Sequence, residues 1–135
     1  MFDSDVRLIV NMCNSVEDPD SMDWFASFGE CSQYWPLTSS QVVTDEVSYE
    51  VRLVSRTTIV EDVLTSSKLT LSRLDGTDND VNSREVTLLH FSGWPDLYVP
   101  YTSKKLNGFR KMMQELVTFY VSPSKQESHK ALVHC

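Results

Sequence analysis

The chain has 135 residues, 41% of them hydrophobic and 23% charged, with a formal net charge of −7, the profile of one soluble globular domain. That acidity argues against a basic nucleic-acid footprint and a polybasic membrane patch, while leaving room for a local basic pocket for an anion. No apolar run approaches the ~18 residues of a membrane span, the opening Met1-Phe2-Asp3-Ser4-Asp5 is unlike a secretory leader, and Cys13, Cys31 and Cys135 lack CxxC spacing, which favours reduced cytosolic thiols over a disulfide framework or a zinc site.

Val6 to Met12 (VRLIVNM) reads as a buried strand, being short, apolar and β-branched. It starts so close to residue 1 that further structure is expected upstream. Asn14 to Asp23 is a polar, acidic loop with Pro19, and Trp24, Phe25 and Phe28 would cover a core edge. In Glu30-Cys31-Ser32-Gln33-Tyr34-Trp35-Pro36, the two aromatic residues are bulky enough to anchor a loop on the core, and Pro36 ends regular structure.

Val47 to Ile59 alternates, with Val47, Tyr49, Val51 and Leu53 on one face and Ser48, Glu50 and Arg52 on the other. Lys68 to Leu74 alternates as well. Asp75-Gly76 then turns the chain into a polar loop reaching Ser83. Arg84 to Phe91 is a third strand, apolar on both faces at Val86, Leu88 and Leu89. Short connections make these three an antiparallel meander.

Trp94-Pro95-Asp96 opens the next loop. Pro95 and Pro100 fix φ, and the residue before each is pushed toward extended geometry. Asp96 is thereby held on a semi-rigid loop beside a large ring, either as a loop cap or as an acid. Thr102 or Ser103 caps a helix. Its Leu106, Phe109, Met113, Leu116, Val117 and Tyr120 recur at spacings of three and four and are expected to face the core. Lys104, Lys105, Arg110, Lys111 and Glu115 take its polar side. Ser122-Pro123-Ser124 ends the helix, Lys125 to Lys130 is a loop with a solvated His129, and Ala131 to Cys135 begins a buried strand. The expected class is α/β (α+β), a mixed central sheet with flanking helices.

Val133-His134-Cys135 puts a thiol at the C-terminal end of a strand, where α/β folds place their sites. If a glycine-rich turn into a helix follows, its amides and dipole stabilise a thiolate and cradle an anion. A small buried core residue is the plainer alternative for a lone cysteine. His90 reads as a hydrogen-bonding strand residue rather than a base.

Four segments, in order, resemble the catalytic domain of the tyrosine-specific protein phosphatases. They are the strand Val6 to Met12, the segment Cys31-Ser32-Gln33-Tyr34-Trp35-Pro36, the run from Leu88 through Trp94-Pro95-Asp96 to Val99-Pro100, and Val133-His134-Cys135. The last resembles the start of the family's H-C-x-x-G-x-x-R phosphate-binding loop. Residues 1–135 would be an incomplete phosphatase domain, lacking its N-terminal part and the phosphate-binding loop after Cys135. Such a piece alone is expected to be inactive and poorly soluble.

The resemblance implies that Cys135 is the nucleophile, forming a cysteinyl-phosphate, and that Asp96 is general acid and then base. His134 would hold and acidify Cys135, Trp94 and Pro95 would belong to a closing lid, and Tyr34 and Trp35 would be structural. It implies no metal and no cofactor. The partners would be phosphotyrosine-containing proteins, with no nucleic acid and no membrane insertion, in the cytoplasm or in the cytoplasmic portion of a larger protein. No residue here is assigned to grip the phosphotyrosine. Two positions depart from the family pattern: Tyr98 stands where the acid loop has glycine, and Glu30 where lysine often precedes the C-x-x-Y-W-P cysteine. Tyr98 motivates an alternative, a pseudophosphatase that binds phosphotyrosine or acts as a scaffold.

Overall fold

A computed structural model describes residues 5–13, 35–36, 40–44, 48–74, 83–94, 99, 102–121 and 129–134. Six strands and one helix are found among them: β1 (Val6–Asn11), β2 (Ser40–Thr44), β3 (Ser48–Val60), β4 (Leu64–Arg73), β5 (Ser83–Phe91), α1 (Ser103–Val121) and β6 (Lys130–His134). The strands form one mixed sheet in the order β2-β3-β4-β5-β1-β6. β2 to β5 run as an antiparallel meander, and β1 is inserted parallel to both β5 and β6. The fold class and the meander agree with expectation. β2 was not anticipated, and β4 begins at Leu64 rather than Lys68. Thr65, Ser66 and Ser67 carry no apolar alternation, but they complete the ladder opposite Thr58, Thr57 and Arg56.

The β3–β4 register shifts between Leu53 and Ser55 and again between Thr58 and Val60. Extra residues of this kind bend a strand and re-aim its side chains. The simple alternation of β3 accordingly holds only as far as Leu53: Val54 is exposed, and the strand returns to the core at Ile59 and Val60. Asp62, in the tight turn to β4, has φ 58°, a left-handed conformation that aspartate tolerates better than most residues.

Both faces of the sheet are covered. On one lie Leu8, Val10, Leu64, Leu89 and Phe91, packed with Val63 and with Met112 of α1. On the other lie Val6, Ile9, Leu69, Val86 and Leu88, with Trp35. The expected helical stripe is corrected here. Leu106, Met113, Val117 and Tyr120 are exposed, whereas Gly108 and Met112 are buried, with Phe109, Leu116 and Phe119 beside them. Close approach explains the rotation of the helix. A Cβ on Gly108 would collide with Val63 Cγ1, so the face that meets the core is the one carrying Gly108 and Met112 rather than Leu106, Met113 and Val117. Phe91, fully buried, touches both Gly108 and the Phe109 ring, whose centroid is 6.1 Å away. Phe91→Ala should lower the unfolding free energy by about 3–5 kcal/mol, read as a fall in the urea midpoint at constant slope.

Beyond the start of β1, a charged cluster fixes β6. Asp5 accepts from Arg7 Nε at 2.9 Å and pairs with His129 Nδ1 at 2.8 Å, and Arg84 lies 3.9 Å away. The Asp5 carbonyl accepts the Lys130 amide at 3.2 Å. His129 is therefore a partner of β1, not the solvated loop residue expected from its polar surroundings. The His129 hydrogen bond, the largest influence, outweighs the opposing effect of burial and, with the Arg7 hydrogen bond and the charges of Arg7 and His129, holds the Asp5 carboxyl below its ordinary value of 3.8. A depressed carboxyl stabilises the fold at pH above its unfolded value and loses that contribution as pH falls through the folded one. Asp5→Asn, which tolerates the 48° φ at this position, should shrink the fall in Tm between neutral pH and the range below 3.8, as followed by circular dichroism.

Candidate active site

Because β1, β5 and β6 are parallel, their C-terminal ends share one edge of the sheet. β5 leads into Trp94-Pro95-Asp96, β6 leads into Cys135, and β1 ends between them at Asn11. Parallel strands lie about 4.8 Å apart, so the strands bearing the acid and the thiol end about 10 Å from one another across β1. Pro95, Asp96 and Cys135 themselves lie outside the described residues, as do Tyr34 and Tyr98. Trp94 and His134 lie within them.

His134 closes β6. It is abreast of Asn11, and its carbonyl accepts the Met12 amide at 2.9 Å. With Asp5 and Lys130 at the opposite end, β6 is tied to β1 at both termini. The Ala131 amide also reaches the Tyr120 hydroxyl of α1 at 3.3 Å. The direction in which the chain leaves toward position 135 is thus set from two sides.

Trp94 is half-buried, and its ring lies 5.7 Å from that of Phe109 at 54°. At the far end of the loop, the Thr102 hydroxyl caps α1 by accepting the Lys105 amide at 3.2 Å. Both stems of the segment 95–101 are therefore anchored on one helix. The first stem is also pinned to the β3–β4 turn: the Ser92 amide and hydroxyl donate to the carbonyls of Val63 and Asp62, each at 2.9 Å. Gly93 fits only because it has no side chain, since a Cβ would stand 2.6 Å from Phe91 Cζ. Neither Ser92 nor Gly93 was singled out from the sequence. The small pair immediately before Trp94-Pro95 was the available signal.

Asn11 was missed for a different reason. It was absorbed into an apolar strand, where a polar residue was itself the clue. Its side chain is fully buried. Oδ1 accepts the Cys13 amide at 2.7 Å, which identifies that atom as oxygen. Nδ2 is buried without a hydrogen-bond partner among the described residues, a state worth about 1–3 kcal/mol of destabilisation. His90 Nε2 donates to the Cys13 carbonyl at 2.9 Å, in keeping with its reading as a hydrogen-bonding strand residue. Trp35 covers it, centroid to centroid at 5.1 Å. Cys13 departs from expectation: it is disulfide-bonded rather than a reduced buried thiol.

No helix among the described residues is long and apolar enough to cross a membrane. The sequence matches the family model described as protein-tyrosine phosphatase over residues 1–135. It is 27% identical over 127 residues to the human tyrosine-protein phosphatase non-receptor type 2, covering 93% of this chain and 26% of that protein. It is 33% identical over 106 residues to the chicken receptor-type tyrosine-protein phosphatase eta, covering 78% of this chain and 6% of that one. A Trypanosoma cruzi protein tyrosine phosphatase has the same fold, with a TM-score of 0.66 at 19% identity over 98% of this chain and 40% of that chain.

Proposed function

Because this chain belongs to the protein-tyrosine phosphatase family, we propose that it supplies the nucleophile and the general acid for hydrolysis of phosphotyrosine in proteins. Cys135 attacks phosphorus as a thiolate, and the bond from phosphorus to the tyrosyl oxygen breaks. Asp96 gives its proton to that oxygen as it leaves. Water then attacks the cysteinyl-phosphate, Asp96 takes the water's proton, and inorganic phosphate departs with the thiolate restored. His134 steadies Cys135 from the end of β6, while Trp94 and Pro95 are the stem of the lid that brings Asp96 over. The reaction draws on no cofactor or metal.

The observation that carries this reading is the common edge of β5, β1 and β6, which sets the acid-bearing and thiol-bearing strand ends on either side of a single strand. The chain spans about a quarter of the human relative's length. A chemistry that needs a free thiolate fits the reducing cytoplasm, where the Cys13 disulfide would stand reduced, whether the protein is free or is the cytoplasmic part of a larger one. The test is incubation of the full protein, under dithiothreitol, with phosphotyrosyl and phosphoseryl peptides. Phosphate release from the first, with phosphocysteine trapped on acid quenching, is expected. Release from neither would favour a binding-only pseudophosphatase.

A further inference from the structure

Residues abreast in a parallel sheet point to the same face, and Asn11 is abreast of both His90 and His134. The three form a polar row across the ends of β5, β1 and β6. Counting back by twos along the strands, Ile9 and Leu88 belong to the cluster under Trp35, so the row lies on the face opposite α1. Within it, Asn11 Oδ1 grips the Cys13 amide and His90 Nε2 grips the Cys13 carbonyl. One peptide segment at the end of β1 is held from its own strand and from the strand that carries the acid loop.

We propose that Asn11 and His90 are positioning residues for the general acid; the inference rests on the phosphatase reading above. His90 stands on β5 just ahead of Ser92, Gly93 and Trp94, the stem of the Asp96 loop. Its bond to Cys13 fixes the height of that stem against β1, whose other neighbour, β6, delivers Cys135. The proton is on Nε2, because a carbonyl only accepts. Packing alone does not account for the arrangement. An apolar side chain at position 11 would remove the acceptor of the buried Cys13 amide, and one at position 90 would remove this donor to the Cys13 carbonyl. The loss of a few tenths of an ångström in such a stem is felt at the reacting atoms, where small misplacements reduce rates strongly.

The experiment compares wild type with Asn11→Ala, His90→Phe and His90→Gln in the full protein under reductant. Each is assayed on a phosphotyrosyl peptide, whose phenol has a pKa of about 10, and on 2,4-dinitrophenyl phosphate, whose leaving group departs without a proton. For Asn11→Ala and His90→Phe, kcat/KM on the peptide should fall by roughly 10–100-fold, while kcat/KM on dinitrophenyl phosphate, which reports the phosphorylation step alone, stays within about threefold of wild type. His90→Gln keeps an N–H donor and should recover most of the loss. Equal losses on both substrates, or no loss on either, would overturn the proposal. If Asn11→Ala does not fold, the His90 pair decides alone. A wild-type protein inactive on both substrates would sink the phosphatase reading itself, and this inference with it.

Discussion

Cys135→Ser is expected to lower turnover of a phosphotyrosyl peptide by at least ~10⁴-fold while its Kd stays within a few-fold of wild type. Nucleophile removal in other hydrolases costs on this scale or more. A serine hydroxyl stays protonated at neutral pH, whereas a thiol near anion-binding amides ionises. Binding survives because β6 is held at both ends by groups the substitution does not touch, the Asp5–Lys130 and Met12–His134 backbone bonds. Single-turnover kinetics gives the rate, and anisotropy of a labelled peptide gives the Kd. Turnover of the serine variant above one hundredth of wild type would exclude Cys135 as the nucleophile.

Asp96→Ala should reduce kcat on the same peptide by ~10²–10⁴-fold, the usual contribution of a positioned proton donor. The pH profile separates this role from a structural one. A general acid must carry its proton, so wild-type kcat falls as pH rises through the acid's pKa in the complex, and the variant loses that limb. Unchanged rates would favour the scaffold reading that Tyr98 motivates. The loop's two anchors, the Trp94 ring against Phe109 and the Thr102 cap, both rest on α1 and keep their partners in the variant. Thermal melts should accordingly coincide with wild type.

The strands were legible because their cause is local. Val6 to Met12, Arg84 to Phe91 and the alternating run through Leu53 carry their burial pattern in the order of their side chains. The helix was legible as a helix but misjudged in its facing. Leu106, Met113 and Val117 make a good apolar stripe, yet the rotation was settled by Gly108 against Val63 and Phe91, a fit between segments distant in sequence. β2 and the first part of β4 escaped for a related reason, since ladder bonds to β3, not hydrophobic alternation, bring them into the sheet.

By itself the sequence determined the class of fold, the order of its elements apart from β2, and the two residue types, carboxyl and thiol, that family chemistry requires. These depend on periodicity and on short motifs, which survive without coordinates. Only the tertiary structure decided that β1 lies between the strands leading to Asp96 and Cys135. It also decided that Asn11, His90 and His134 stand abreast at that edge, and that His129 is a clamp on Asp5 rather than a solvated residue. Parallel pairing joins segments more than forty residues apart, and no local pattern records which strand will be the neighbour of which.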